Sequence, residues 1–161
     1  MKKLLLLLSL LTGCGKSWDL DRPIRVAVLS SELSTADITK YFDSAVRQLG
    51  GTTSSSADQV VYVSYNFTGE CQGCTPFTFE HVDHHDDMIQ ILPHIRTLSE
   101  EAMEHAIVHG LGHVLGYESH LRDGRRGVMM PVYDYVPQPR NRYTADDLAA
   151  IATGRVVGGV F

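Results

Sequence analysis

The chain has 161 residues, which points to one domain. With 43% hydrophobic and 20% charged residues it is composed like an ordinary globular protein. That excludes wholesale disorder, a collagen-like rod and a multi-span membrane protein. The 14 basic and 19 acidic residues leave a formal charge of −5, so there is no electrostatic basis for nucleic-acid binding. Eight histidines are many for this length, and they cluster.

Residues 1–13 read as a secretory signal. Lys2 and Lys3 precede an apolar run from Leu4 to Leu11, broken only by Ser9, and small residues follow. The run is too short for a permanent spanning helix, which needs about 20 residues. Leu11-Thr12-Gly13-Cys14 resembles the bacterial lipobox. That resemblance implies cleavage before Cys14, lipid on its sulfur, and a protein held at the cell envelope by that anchor alone. Residues 14–23 read as a polar tether and residues 24–161 as the folded domain. If Cys14 carries lipid, Cys71 and Cys74 remain as a Cys-Gln-Gly-Cys pair. Outside the cytoplasm such a pair is most simply a disulfide, with a redox or metal-ligand role as the other reading.

Ile24–Leu29 is rich in β-branched residues and reads as a strand. Ser34 or Thr35 caps a helix to about Leu49, with Ile38, Tyr41, Phe42, Ala45, Val46 and Leu49 at helical spacing. Gly50-Gly51 stops it. Gln59–Tyr65 is a second strand. Asn66–Asp87 shows no clear periodicity, and its His81–Asp87 run reads as an acidic, solvated loop, with a second zinc or calcium site as the rival reading. Met88–Leu92 is a third strand, ended by Pro93. Ser99 opens a helix to about Gly116, with Glu100 and Glu101 in its first turn, where the helix dipole favours acids. Thr144-Ala-Asp-Asp147 caps a last helix from Ala145 to about Thr153. The order predicts an α/β or α+β domain with a small sheet.

His109 and His113 are four apart on the predicted helix, so both rings share one face and can reach one metal ion. Gly116 suits the helix end, and the chain then returns to His120. Three neutral imidazoles with an open fourth position form a catalytic zinc geometry.

His109-Gly-Leu-Gly-His113-Val-Leu-Gly116 resembles the metzincin signature His-Glu-x-x-His-x-x-Gly-x-x-His, in its matrixin-like form. Gly127-Val-Met129-Met-Pro131-Val-Tyr133 resembles the Met-turn, with Met129 as the methionine beneath the metal. Tyr143–Ile151 resembles the matrixin C-terminal helix. The resemblance spans about residues 88–154. It implies a zinc-dependent endopeptidase of the α+β form, with a twisted, mostly parallel sheet and two long helices in the upper lobe and a small lower lobe. It also implies a peptide or protein substrate extended along an edge strand, here Met88–Pro93, and an apolar pocket walled near Pro131 and Tyr133.

Two departures qualify it. The family has a glutamate after the first histidine, the general base that takes a proton from the attacking water and passes it to the leaving amine. Here that position is Gly110. Losing a positioned acid/base costs roughly 10²–10⁴-fold in rate. Glycine also costs a helix about 1 kcal/mol relative to alanine, so folding preference does not explain Gly110. The family's third ligand falls at Ser119, a poor zinc ligand. A one-residue insertion in the turn brings His120 to the metal, with Glu118 in reserve.

Lesser features have plainer readings. Glu104 lies more than a turn from His109, a poor place for a substitute base, and His105 reads as a partly exposed helix residue. Arg122, Arg125 and Arg126 solvate a loop. Asp19 or Asp21 in the tether could cap the metal from outside. The expectation is a lipid-anchored envelope protein with a minimal matrixin-like domain, weakened or inactive as a protease. Its rivals are a zinc-containing pseudopeptidase that binds peptides and a structural surface lipoprotein.

Overall fold

The computed structural model describes residues 18–65, 80–83, 87–91, 99–115, 120–121, 127–129 and 141–157. Seven elements follow in chain order: β1 (Ile24–Val28), α1 (Thr35–Gln48), β2 (Gln59–Tyr65), β3 (Glu80–Asp83), β4 (Met88–Ile91), α2 (Glu100–Val114) and α3 (Ala145–Val157). The fold is α+β, as the sequence predicts. The four strands form one sheet in the order β1-β2-β4-β3. Three are parallel, and β3 runs antiparallel beside β4.

Strand alternation decides which residues reach the core. Val61, Val63 and Tyr65 of β2 are buried, whereas Tyr62 between them is exposed. The register places Val28, Val63 and Ile89 in one inward row and Ala27, Tyr62 and Met88 in the outward row beside it. Helices α1 and α2 pack against each other, α1 also on β1, and α2 on β3 and β4. Ile38, Phe42 and Val46 of α1 meet Ile107 and Leu111 of α2 in a single core cluster with the inward strand residues. Each such fully buried side chain contributes about 1.5–3 kcal/mol.

Helix starts follow their caps. Ser34 Oγ accepts from the Asp37 backbone N–H at 3.3 Å, and Ser99 Oγ from Ala102 N–H at 3.2 Å. Helix α1 ends at Gly50, whose φ of 80° lies where a side chain is disfavoured. Among the described residues no helix is long and apolar enough to cross a membrane.

Three sequence expectations are corrected. The first three residues of the His81–Asp87 run, expected in a solvated loop, belong to the edge strand β3 (Glu80–Asp83). Its backbone pairs with β4 from Glu80 opposite Ile91 to Asp83 opposite Met88. Consequently Met88–Ile91 is not an edge, because β2 and β3 flank it on both sides. The folded body also reaches back into the segment read as tether. Trp18 is buried in the core cluster. Asp19 N–H donates to Gln59 Oε1 at 2.9 Å, and Gln59 Nε2 donates to Asp19 O at 2.8 Å. Asp19, considered as a metal cap, accepts the Asp21 backbone N–H through its carboxylate.

Candidate metal centre

Helix α2 supplies two histidines from its last turns. His109 and His113 are buried, 1% and 7% exposed, on the face that looks into the protein. His120 arrives from beyond the helix end and is half-buried. Ring centroids lie 4.7 Å apart for His109 and His113, 5.2 Å for His109 and His120, and 4.9 Å for His113 and His120. One ligand nitrogen from each of the three lies within 4.8 Å of the others, so the three can hold a metal ion. Among the described residues they form the only cluster of this kind.

The donor set fits a small divalent cation. Two bonds of about 2.0–2.1 Å at a tetrahedral angle separate their nitrogens by about 3.3–3.4 Å. His109 Nε2 and His113 Nε2 are 2.9 Å apart. For that pair the adjustment needed is a few tenths of an ångström.

The tautomer of His109 follows from its partner. His109 Nδ1 lies 2.6 Å from the Val128 carbonyl oxygen, which can only accept, so Nδ1 carries the hydrogen and donates it. In the neutral ring Nε2 then carries the lone pair, which accepts from His113 Nε2 at 2.9 Å and is the atom that would ligate a metal. Burial first, then the proximity of His113 and His105, hold His109 well below the ordinary histidine value. The Val128 bond opposes this, and His120 adds to the lowering. The ring is therefore neutral at pH 7, the form a metal requires.

Met129, which follows the Val128 carbonyl bonded to His109, is fully buried. It rests against Gly112, where an added Cβ would overlap Met129 Sδ and stand 2.9 Å from its Cε. The Val128–Met129 turn is in turn held by Asp147, at the start of α3. Asp147 is fully buried and accepts from Val128 N–H at 3.0 Å and Met129 N–H at 2.9 Å. It also accepts from Thr144 N–H at 2.7 Å and Thr144 Oγ1 at 2.9 Å, while Asp147 N–H donates to Thr144 Oγ1 at 3.2 Å. That reciprocal pair is a capping box with aspartate in the glutamate slot. Gly127 leaves room for it, since a Cβ there would overlap the Asp147 carboxylate.

The other expected site residues fall as follows. Gly110 is buried on α2 directly after His109. Glu104 accepts from Asn141 Nδ2 at 2.7 Å, which commits it to holding the 141–143 segment. His105 is half-buried, its ring 5.8 Å from that of His109 and outside the cluster. Cys14, Cys71, Cys74, His84, His85, Glu118, Arg122, Arg125, Arg126, Pro131 and Tyr133 lie outside the described residues. Sequence reasoning gave Asp147 only its helix cap and missed Gly112 and Gly127. The Thr-x-x-Asp spacing signalled the cap, but no local signal tied it to a turn 18 and 19 positions earlier.

Compared with known proteins, the chain matches no family model, and no curated protein matches it either.

Proposed function

We propose that this chain is a matrixin-like metzincin, a zinc metalloendopeptidase by descent, weakened or silenced at Gly110 and anchored at the bacterial cell envelope by lipid on Cys14. The observation that carries the reading is the convergence of His109, His113 and His120, with His109 bonded to the turn that carries the buried Met129. Imidazole sets suit several first-row metals, and zinc is the reading that the metzincin-like order of His109, His113 and Met129 supports. Bound there, zinc supplies Lewis acidity, polarising a scissile carbonyl and acidifying water.

The chain's own residues then set what is gained and lost. His109 and His113 present nitrogens from helix α2, and His120 completes the set from beyond the end of that helix. An extended peptide would pair with β3, the edge strand nearest α2, rather than with β4. Position 110 offers no carboxylate to take or deliver a proton. Capture of a peptide survives that loss, whereas cleavage falls by roughly 10²–10⁴-fold. A peptide-binding pseudopeptidase is therefore the second reading, and Gly110 is the observation that favours it.

The test is cleavage of a casein substrate by the zinc-loaded chain and by Gly110→Glu. The reading expects little or no cleavage from the first and clear gain in the second. A Gly110→Glu chain that holds zinc yet neither binds nor cuts peptides overturns it.

A further inference from the structure

The peptide group joining Val128 to Met129 is bonded at both ends. Its N–H, on Met129, donates to Asp147 Oδ1 at 2.9 Å. Its C=O, on Val128, accepts from His109 Nδ1 at 2.6 Å. The carboxylate, the peptide and the imidazole thus form one line of hydrogen bonds running from α3 to a ligand nitrogen. Metal-bound histidines commonly donate their second nitrogen directly to a carboxylate, which fixes the ring and raises its basicity. Here a peptide unit stands between the two. A carboxylate at the N–H end polarises the amide and makes its carbonyl the stronger acceptor.

A second branch leaves the same turn. The Met129 carbonyl accepts the Leu121 backbone N–H at 2.8 Å, and Leu121 directly follows His120. Leu121 is buried. Asp147 therefore holds the one turn that reaches both His109 and the segment carrying His120. Among the described residues its carboxylate bonds to Val128, Met129 and Thr144 rather than to a histidine, and Gly127 is shaped to admit it. A helix cap alone would need only the Thr144 bonds; the two bonds to Val128 and Met129 point beyond capping.

We propose that Asp147 is a positioning residue of the metal centre, acting through the Val128–Met129 peptide on His109, so that metal binding and docking of α3 are one coupled equilibrium. This rests on the metal-binding reading of the three histidines. Linkage requires reciprocity: whatever Asp147 contributes to holding the metal, the metal returns to holding α3.

The test measures zinc affinity by chelator competition on the full chain, with three variants. Asp147→Asn puts an amide nitrogen against one of the backbone N–H groups and should weaken zinc binding about 10–100-fold, the usual effect of losing an outer-shell partner. Thr144→Val removes the cap hydroxyl but keeps both bonds to the turn, and should leave zinc affinity within about 3-fold. Phe42→Leu lowers stability from the α1 side of the core, leaves the bonds of Asp147 intact, and should likewise leave it unchanged. In the metal-free protein, ¹⁵N spectra of His109 should show the Nδ1–H tautomer in the unaltered chain and a mixture in Asp147→Asn. Should Asp147→Asn not fold, hydrogen exchange on the unaltered chain decides: zinc must slow exchange at the Val128, Met129 and Leu121 amides. Equal zinc loss in Asp147→Asn and Phe42→Leu, or exchange at those amides indifferent to zinc, overturns the proposal while the metal reading stands. An unaltered chain that binds no zinc overturns both.

Discussion

Gly112 and Met129 touch where no side chain would fit: a Cβ on Gly112 would overlap the Met129 sulfur and come within 2.9 Å of its methyl. Gly112 sits one residue before His113 on α2, and Met129 is one residue from the carbonyl that holds His109. The closeness of this contact sets how deep the histidine face of the helix lies over the turn.

Gly112→Ala is therefore expected to destabilise the fold by about 1–3 kcal/mol through overpacking, despite alanine's better helix propensity. Zinc affinity should fall with it, because the helix must lift from the turn. Thermal melts and zinc titration of Gly112→Ala, and of Gly112→Ala with Met129→Ala, check this. The second change should restore part of the affinity if the contact is the cause.

A pH dependence follows from His109. Its folded value lies well below 6.5, chiefly through burial. Between that value and 6.5 the unfolded chain binds more protons than the folded one, so stability rises with pH there. The metal-free protein should lose stability as pH falls below about 6.5, and the loss should continue down to the folded value. Urea midpoints measured from about pH 7 to about pH 5 should decline, and decline less in His109→Asn.

At the other end of the scale, Tyr41 should titrate late. Its hydroxyl is pushed up to about 12, first by burial, then by a hydrogen bond to Glu100, with Glu100, Asp37 and Glu104 adding repulsion. Between 10.0 and about 12 the folded chain holds the extra proton, so stability is lost as pH rises through that window. Absorbance titration should show a late component near pH 12 that is missing in Tyr41→Phe, beside Tyr65, which burial and then Glu32 also push up.

Gly110→Glu places a carboxylate one residue after a metal-facing histidine. Cleavage of a peptide substrate should rise by roughly 10²–10⁴-fold over the unaltered chain. Zinc affinity should change little, since residue 110 is not one of the three ligands.

Much of this was legible in the residues because it is local. Ser34 and Ser99 announce their helices, and β2 reads directly from Gln59–Tyr65. Strand β3 was not legible. Glu80-His-Val-Asp83 has one apolar residue in four, and its extended form comes from pairing with β4 rather than from its own propensity. The same distinction divides the site. The spacing of His109 and His113 is a property of one helix, while His120 lies outside that helix and joins them only in the folded chain. Asp147 looks like an ordinary cap until the fold brings Val128 and Met129 against it.

X-ray absorption at the zinc edge of the zinc-loaded chain tests the central claim most directly. Three imidazole nitrogens at about 2.0–2.1 Å are expected, falling to two in His120→Ala. A chain that retains no zinc, or a metal shell without imidazole scattering, contradicts it.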